Sequence, residues 1–206
     1  MDTNNETLPA IASQIDNAFN FIQKLYHESA YLVKEIEGHL AGHEFRFQMV
    51  KPSGSGVTTR SSSGLDPNSV NFWLLRKFAF AFVAESPSEG KISQTNTEIT
   101  TELKVIYFRI ILNDKKIKSP QMLFGVFYNI ERLKEEGWIK KFENLMGHFE
   151  YNDAKLFNNV PHISYSDSYI KLKGEFKSVN LLEINSSEEL VKKVIEPVVK
   201  IYSELV

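Results

Sequence analysis

Apolar residues along the chain follow two rhythms, one of three or four residues and one of two, and the change between them marks out the elements. From Pro9 to Leu40, Ile11, Ile15, Phe19, Ile22, Leu25, Tyr26, Leu32, Val33, Ile36 and Leu40 recur at helical steps. That spacing predicts a helix over 9–40 with one apolar face. Thr7 is the expected N-cap, Pro9 sits in the first turn where its missing N–H is harmless, and Gly42 is the expected stop. A helix of this length is a rod of roughly 45 Å, longer than the ~17–20 Å that a typical strand can cover.

The period then drops to two. Phe45, Phe47 and Met49 alternate with Arg46, Gln48 and Val50, which predicts a strand ending at Pro52. A flexible Ser/Gly loop is expected over 51–70, because Ser53 to Gly64 offer almost nothing to bury. Three apolar segments follow. In Phe78–Val83 the phenylalanines share one face and the alanines the other, so something must pack close against the alanines. Val105–Leu112 is apolar on both faces apart from Arg109, and Met122–Ile130 apart from Asn129, the pattern of a sheet centre covered on both sides.

Leu133, Trp138, Phe142, Leu145, Met146 and Phe149 then fall on one side of an amphipathic middle helix. Tyr169–Ile184 reads as two further strands, the first an edge strand showing Lys171, Lys173 and Glu175 to water. Ser186 to Glu189 forms a capping box opening a final helix, which Pro197 should kink. The order lacks repeats and βαβ alternation. It predicts a single α+β domain over 1–206, with a mainly antiparallel sheet of about five or six strands, a long N-terminal helix, a middle helix and a C-terminal helix.

Composition narrows the function classes. The 206 residues include no cysteine, which excludes disulfides, thiolate metal sites and a cysteine nucleophile. Lys plus Arg total 24 against 26 for Asp plus Glu, a balance that argues against non-specific binding to nucleic-acid phosphates. Residues 1–50 hold 7 acidic and 3 basic side chains, so the first helix is the acidic part. Met1 to Glu6 are polar and acidic rather than basic and then apolar, and no apolar run approaches the ~18 residues of a membrane span. A cytoplasmic protein without membrane association is expected.

Five groups of residues invite chemical readings. Tyr107 and Arg109 share a face of a central strand, and a guanidinium there must find a carboxylate, a carbonyl or an anionic ligand. Arg60, beside Gly54-Ser55-Gly56, would join them in a ligand site if the glycine loop cradled an anion. Glu35, His39 and His43 fall at four-residue spacing, a candidate divalent-metal set, although Gly38 and Gly42 weaken the helix that must align them. His162, Ser164, Ser166, Asp167 and Ser168 contain the residue types of a hydrolase triad, but neighbours on one extended segment do not converge. Glu102-Leu103-Lys104, opening a strand with Asp66 upstream, resembles the metal-binding and lysine element of PD-(D/E)xK nucleases. That resemblance implies metal-dependent cleavage in which Asp66 and Glu102 hold the metal and Lys104 assists the attacking water.

No set of catalytic groups converges in the sequence, and no cofactor motif is present. The expected function is a non-enzymatic regulatory or protein-interaction module, a subunit of a larger microbial assembly with room for a small-ligand sensing pocket. It would associate with a second copy or another protein through the N-terminal helix. The metal-dependent nuclease is the rival reading.

Overall fold

The structure, a computed structural model, describes residues 8–55, 76–85, 99–114, 117–134 and 142–205. It divides into two compact units, Met1–Gly38 and His39–Val206. In the first unit the described residues all belong to helix α1, Leu8–Ala41, which runs on into the second unit and passes through Gly38 without a break. Inside it, the Ser29 hydroxyl donates to the Leu25 carbonyl at 2.8 Å.

The second unit is an antiparallel six-stranded sheet in the order β1-β2-β3-β4-β6-β5. Its strands are β1 (Phe47–Ser55), β2 (Lys77–Ala84), β3 (Val105–Ile111), β4 (Gln121–Arg132), β5 (His162–Ser166) and β6 (Ile170–Asn180). The α+β class and the antiparallel sheet agree with the sequence pattern. The middle helix is short in the described residues: α2 covers Phe142–Tyr151, followed by the single turn α3, Asp153–Leu156.

Several boundaries differ, each for a local reason. β1 continues past Pro52 to Ser55, with Pro52 opposite Phe80. An edge strand has one hydrogen-bonding side unused, so it tolerates a residue without an N–H. Part of the expected 51–70 loop is therefore strand, and its remainder beyond Ser55 lies outside the described residues. Val50, at a bulge between Met49 and Lys51, is buried with Ala79, Ala81 and Val83, the face Gln48 shares through its pairing with Val83, so the side that alternation reads as polar is also covered. The segment 169–184 is one long strand, β6, and a 3-10 turn, Leu181–Glu183. Its lysines mark a solvated face rather than an edge, because β5, a strand not predicted, pairs outside it.

β3 lies at the centre, and its two faces build two apolar layers. Tyr107 stands opposite Ala81 on β2 and Gly125 on β4, and Arg109 opposite Ala79. The alanines and the glycine thus leave room for the two large side chains of β3, which answers what packs against the alanine face. On that side α2 supplies Leu145, Met146 and Phe149, with Phe149 4.4 Å from the Phe127 ring and 5.8 Å from Tyr107. The other layer holds Phe80, Phe82, Phe108 and Phe124, all at most 1 % exposed. Phe47 pairs with Ala84 and so belongs to this second face. The Tyr202 ring of the C-terminal helix meets Phe47 edge-on at 4.9 Å.

That helix begins with α4, Ser187–Leu190, where Ser186 Oγ accepts from the Glu189 N–H and the Glu189 carboxylate accepts from the Asn185 N–H. Both halves of the expected capping box are made, the second one residue early. Pro197 is accommodated by a π-helical segment, Val191–Ile195, leading into α5, Glu196–Glu204. The wider turn absorbs the change in hydrogen bonding around a residue that has no N–H to give. Among the described residues no helix is long and apolar enough to cross a membrane.

Candidate functional site

The sequence-predicted residues fall in separate places. Tyr107 and Arg109 share a face as expected, but that face is core: Tyr107 is fully buried and Arg109 is 4 % exposed. Tyr107 is ringed by Phe127, Phe149, Phe157 and Phe176, and the Arg109 guanidinium lies 5.5 Å over the Phe157 ring, an attraction that strengthens where water is excluded. Arg60 lies outside the described residues. The cavity of about 410 Å³ between the β5–β6 hairpin and α5 is lined by His162, Glu175, Lys177 and Glu204 among others, and by neither Tyr107 nor Arg109.

Of the nuclease-like set, Asp66 lies outside the described residues and Glu102 occupies the exposed turn before β3. The Lys104 ammonium donates to the carbonyls of Leu205 and Tyr202 and lies 5.2 Å over the Tyr202 ring. It closes the last turn of α5, where free carbonyls attract a cation. Of the metal candidates, Glu35 belongs to the first unit and both histidines to the second. His39 Nε2 is 3.3 Å from Ser187 Oγ. His43 Nδ1 accepts from the Phe45 N–H at 3.4 Å, with its ring against Phe45 and Phe47.

The structure assembles one polar cluster that sequence reasoning missed. His148, at the end of α2 and 3 % exposed, places Nε2 2.8 Å from Asp167 Oδ2. The same oxygen accepts from the Tyr165 hydroxyl at 2.8 Å. Oδ1 accepts from the Tyr169 and Ile170 N–H groups at 2.7 and 2.9 Å, closing the β5–β6 turn. An ionised carboxylate has about four acceptor sites, and all are used here. The cluster therefore bolts α2 to the hairpin turn, and no acceptor site remains for a metal or a reacting group. The three serines take no part in it, and His162 instead pairs with Glu175 across the strands at 2.5 Å.

Burial alone would raise the pKa of Asp167, but the two backbone N–H groups, the Tyr165 hydroxyl and the His148 ring outweigh it and hold the carboxyl below its ordinary 3.8. Burial, then the hydrogen bond to Asp167 and its charge, push the Tyr165 phenol well up. A carboxyl with a depressed folded-state pKa contributes stability that is complete above 3.8 and is lost as the pH falls through the lower folded value. Asp167→Asn is expected to lower neutral-pH stability by about 1.5–3 kcal/mol and to flatten the loss of stability in acid. Urea titrations of both proteins across the acid range check this, and parallel acid limbs would refute it.

The remaining candidate is the surface of α1. Steps of three and four alternate along it from Leu8 to Ile36, a heptad spacing that takes in Ala18 and Ser29, with Phe19, Tyr26, Val33 and Leu40 as a further apolar row beside it. Leu8, Ile15, Ile22, Ser29 and Ile36 occupy one core row, and Ile11, Ala18, Leu25 and Leu32 the other. Phe19 and Phe21 flank the seam on its two sides. The N-terminal part is open: Leu8 is 83 %, Ile15 51 %, Phe19 64 % and Phe21 69 % exposed. No protein-family model matches the chain, and no curated protein or solved structure matches it either.

Proposed function

We propose that the chain is a non-enzymatic protein-interaction module, a subunit that joins a larger assembly through α1. The observation that carries this reading is the open apolar surface from Leu8 to Phe21, on a helix with no second described element in its own unit to bury it. Isolated helices are marginal in water and owe their stability to packing of an apolar face. Each large apolar side chain left in water forgoes about 1.5–3 kcal/mol, and contiguous exposed apolar surface marks interaction sites. The groups best suited to chemistry support the same reading, because Asp167, Lys104 and His43 are engaged by neighbours that hold the fold together.

In extract of cells that make the protein, size-exclusion chromatography is expected to place it well above its 23.7 kDa chain mass. The double variant Ile15→Glu, Phe19→Glu should elute as a monomer. Its sheet unit should keep its unfolding midpoint, since exposed substitutions away from special features change stability by about 0.5 kcal/mol or less. A wild-type protein at monomer mass both in extract and after purification would overturn the reading.

A further inference from the structure

The seam on α1 carries enough detail to name its occupant, given the interaction reading above. We propose that the occupant is α1 of a second copy of this chain, packed as a parallel two-stranded coiled coil over Leu8 to Leu25. A heptad seam is filled by a helix carrying the same repeat, because only an equal pitch keeps knobs aligned with holes over successive turns. Among the described residues no other helix has such an open seam: α2 is 10 residues long, and the C-terminal helix, Ser187–Glu204, is interrupted by its π-helical segment and already buries Leu190, Val194 and Val198, so within this protein the matching helix belongs to another copy. A twofold axis brings the two identical rows together without any further complementarity.

The positions beside the seam point the same way. Charged flanking residues choose partners in coiled coils, attracting one and repelling another. Here the flanking positions through Tyr26 are Ala12, Gln14, Phe19, Phe21 and Tyr26, with no charge among them. The seam has nothing to repel its own copy and no charge code for a foreign one. Ile15 and Ile22 in one row with Leu25 in the other follow the arrangement that favours two parallel strands, which outweighs the first heptad, where Leu8 and Ile11 stand the other way round. Ala18, midway, lets the backbones approach while Phe19 and Phe21 close over the sides.

The area suffices. Fully buried aromatic rings contribute about 150–250 Å² each, and Phe19 and Phe21 are 64 % and 69 % exposed, so the rings of two helices have roughly 400–700 Å² left to bury. With Leu8, Ile11 and Ile15 added from each copy, the total reaches the ~1,200 Å² at which stable interfaces begin.

The cysteine-free chain allows a clean test of both copy number and direction. Sedimentation equilibrium of the purified protein at tens of micromolar should give twice the chain mass, and Ile15→Glu, Phe19→Glu should give the single mass. Ala18→Cys should then oxidise to a covalent dimer, since equivalent core positions of a parallel pair come within the ~4.4–6.8 Å Cα separation that a disulfide needs. Asp16→Cys, on the outer side of the helix, should not. A purified wild-type monomer overturns self-association, and a large complex in cell extract would then leave the interaction reading standing with a foreign partner. A dimer in which Ala18→Cys links only when mixed with Ile15→Cys, its opposite number if Leu8 to Leu25 pair head to tail, overturns the parallel register in favour of an antiparallel one.

Discussion

Truncating Phe108 to alanine is expected to cost about 3–5 kcal/mol of folding stability, the range for a fully buried phenylalanine. The ring is fully buried on the central strand. It stacks on Phe80 at 5.0 Å with the planes 7° apart, meets Phe82 edge-on at 5.8 Å and lies 6.5 Å from Phe124. Those partners sit on strands to either side, and Phe80 and Phe124 are held directly opposite Phe108 by register. They cannot slide into the space without breaking the ladder, so the cavity stays open and its cost adds to the lost transfer energy. Phe108→Leu, which keeps most of the volume, should cost about 1.5 kcal/mol or less. Denaturant midpoints at constant slope measure both, and a loss below about 1 kcal/mol for the alanine variant would place the core elsewhere.

This core was readable because its signal is local. A run such as Phe78–Val83 states its own alternation, and a strand apolar on both faces, such as Val105–Ile111, must be central. β5 was not readable: His162–Ser166 places only Ile163 and Tyr165 inward, and a single short alternation among serines looks like a loop. Without β5, the lysines of β6 looked like an edge. Val50 failed for a different reason, since Arg46 and Gln48 made its face look solvated, whereas that face of β1 packs in the layer of Ala79, Ala81 and Val83.

The polar sites were harder to read than the sheet. His148 and Asp167 lie 19 positions apart on different elements, and only the packing of α2 on the sheet joins them. The residue types near Asp167 therefore suggested a triad that the fold does not build. Glu-x-Lys occurs at Glu89, Glu102 and Glu175, so the triplet alone cannot select a site, and Lys104 is turned to the end of α5 instead. Tyr107 and Arg109 were rightly placed on one face. Whether that face met solvent or a second layer depended on Phe149 and Phe157, more than 39 positions away. The heptad spacing was present in the sequence throughout, but the further apolar row of Phe19, Tyr26, Val33 and Leu40 made it read as the broad stripe of an ordinary amphipathic helix.

Replacing Gly125 by alanine is expected to cost about 3 kcal/mol or more, at or beyond the upper end of the usual overpacking range. Gly125 lies on β4 between Tyr107 and Phe176, its register partners on the two neighbouring strands. A Cβ there would stand 2.1 Å from the Glu175 carbonyl oxygen and 2.7 Å from the Phe176 Cα. Both are backbone atoms of β6, so relief requires moving one strand away from the other, with loss of ladder hydrogen bonds. Gly174, one strand over, provides the contrast. Its added Cβ would meet the Phe176 ring at 2.9 Å and the Phe127 ring at 3.0 Å, and side chains can yield by a few tenths of an ångström where a paired backbone cannot. Gly174→Ala should therefore cost about 1–2 kcal/mol, offset in part by the roughly 0.4–1 kcal/mol gained from a less flexible unfolded chain. Paired urea titrations should rank Gly125→Ala well below Gly174→Ala in stability. Equal losses would mean that β4 and β6 can part without penalty, and that the close approach at Gly125 does not hold these two strands together.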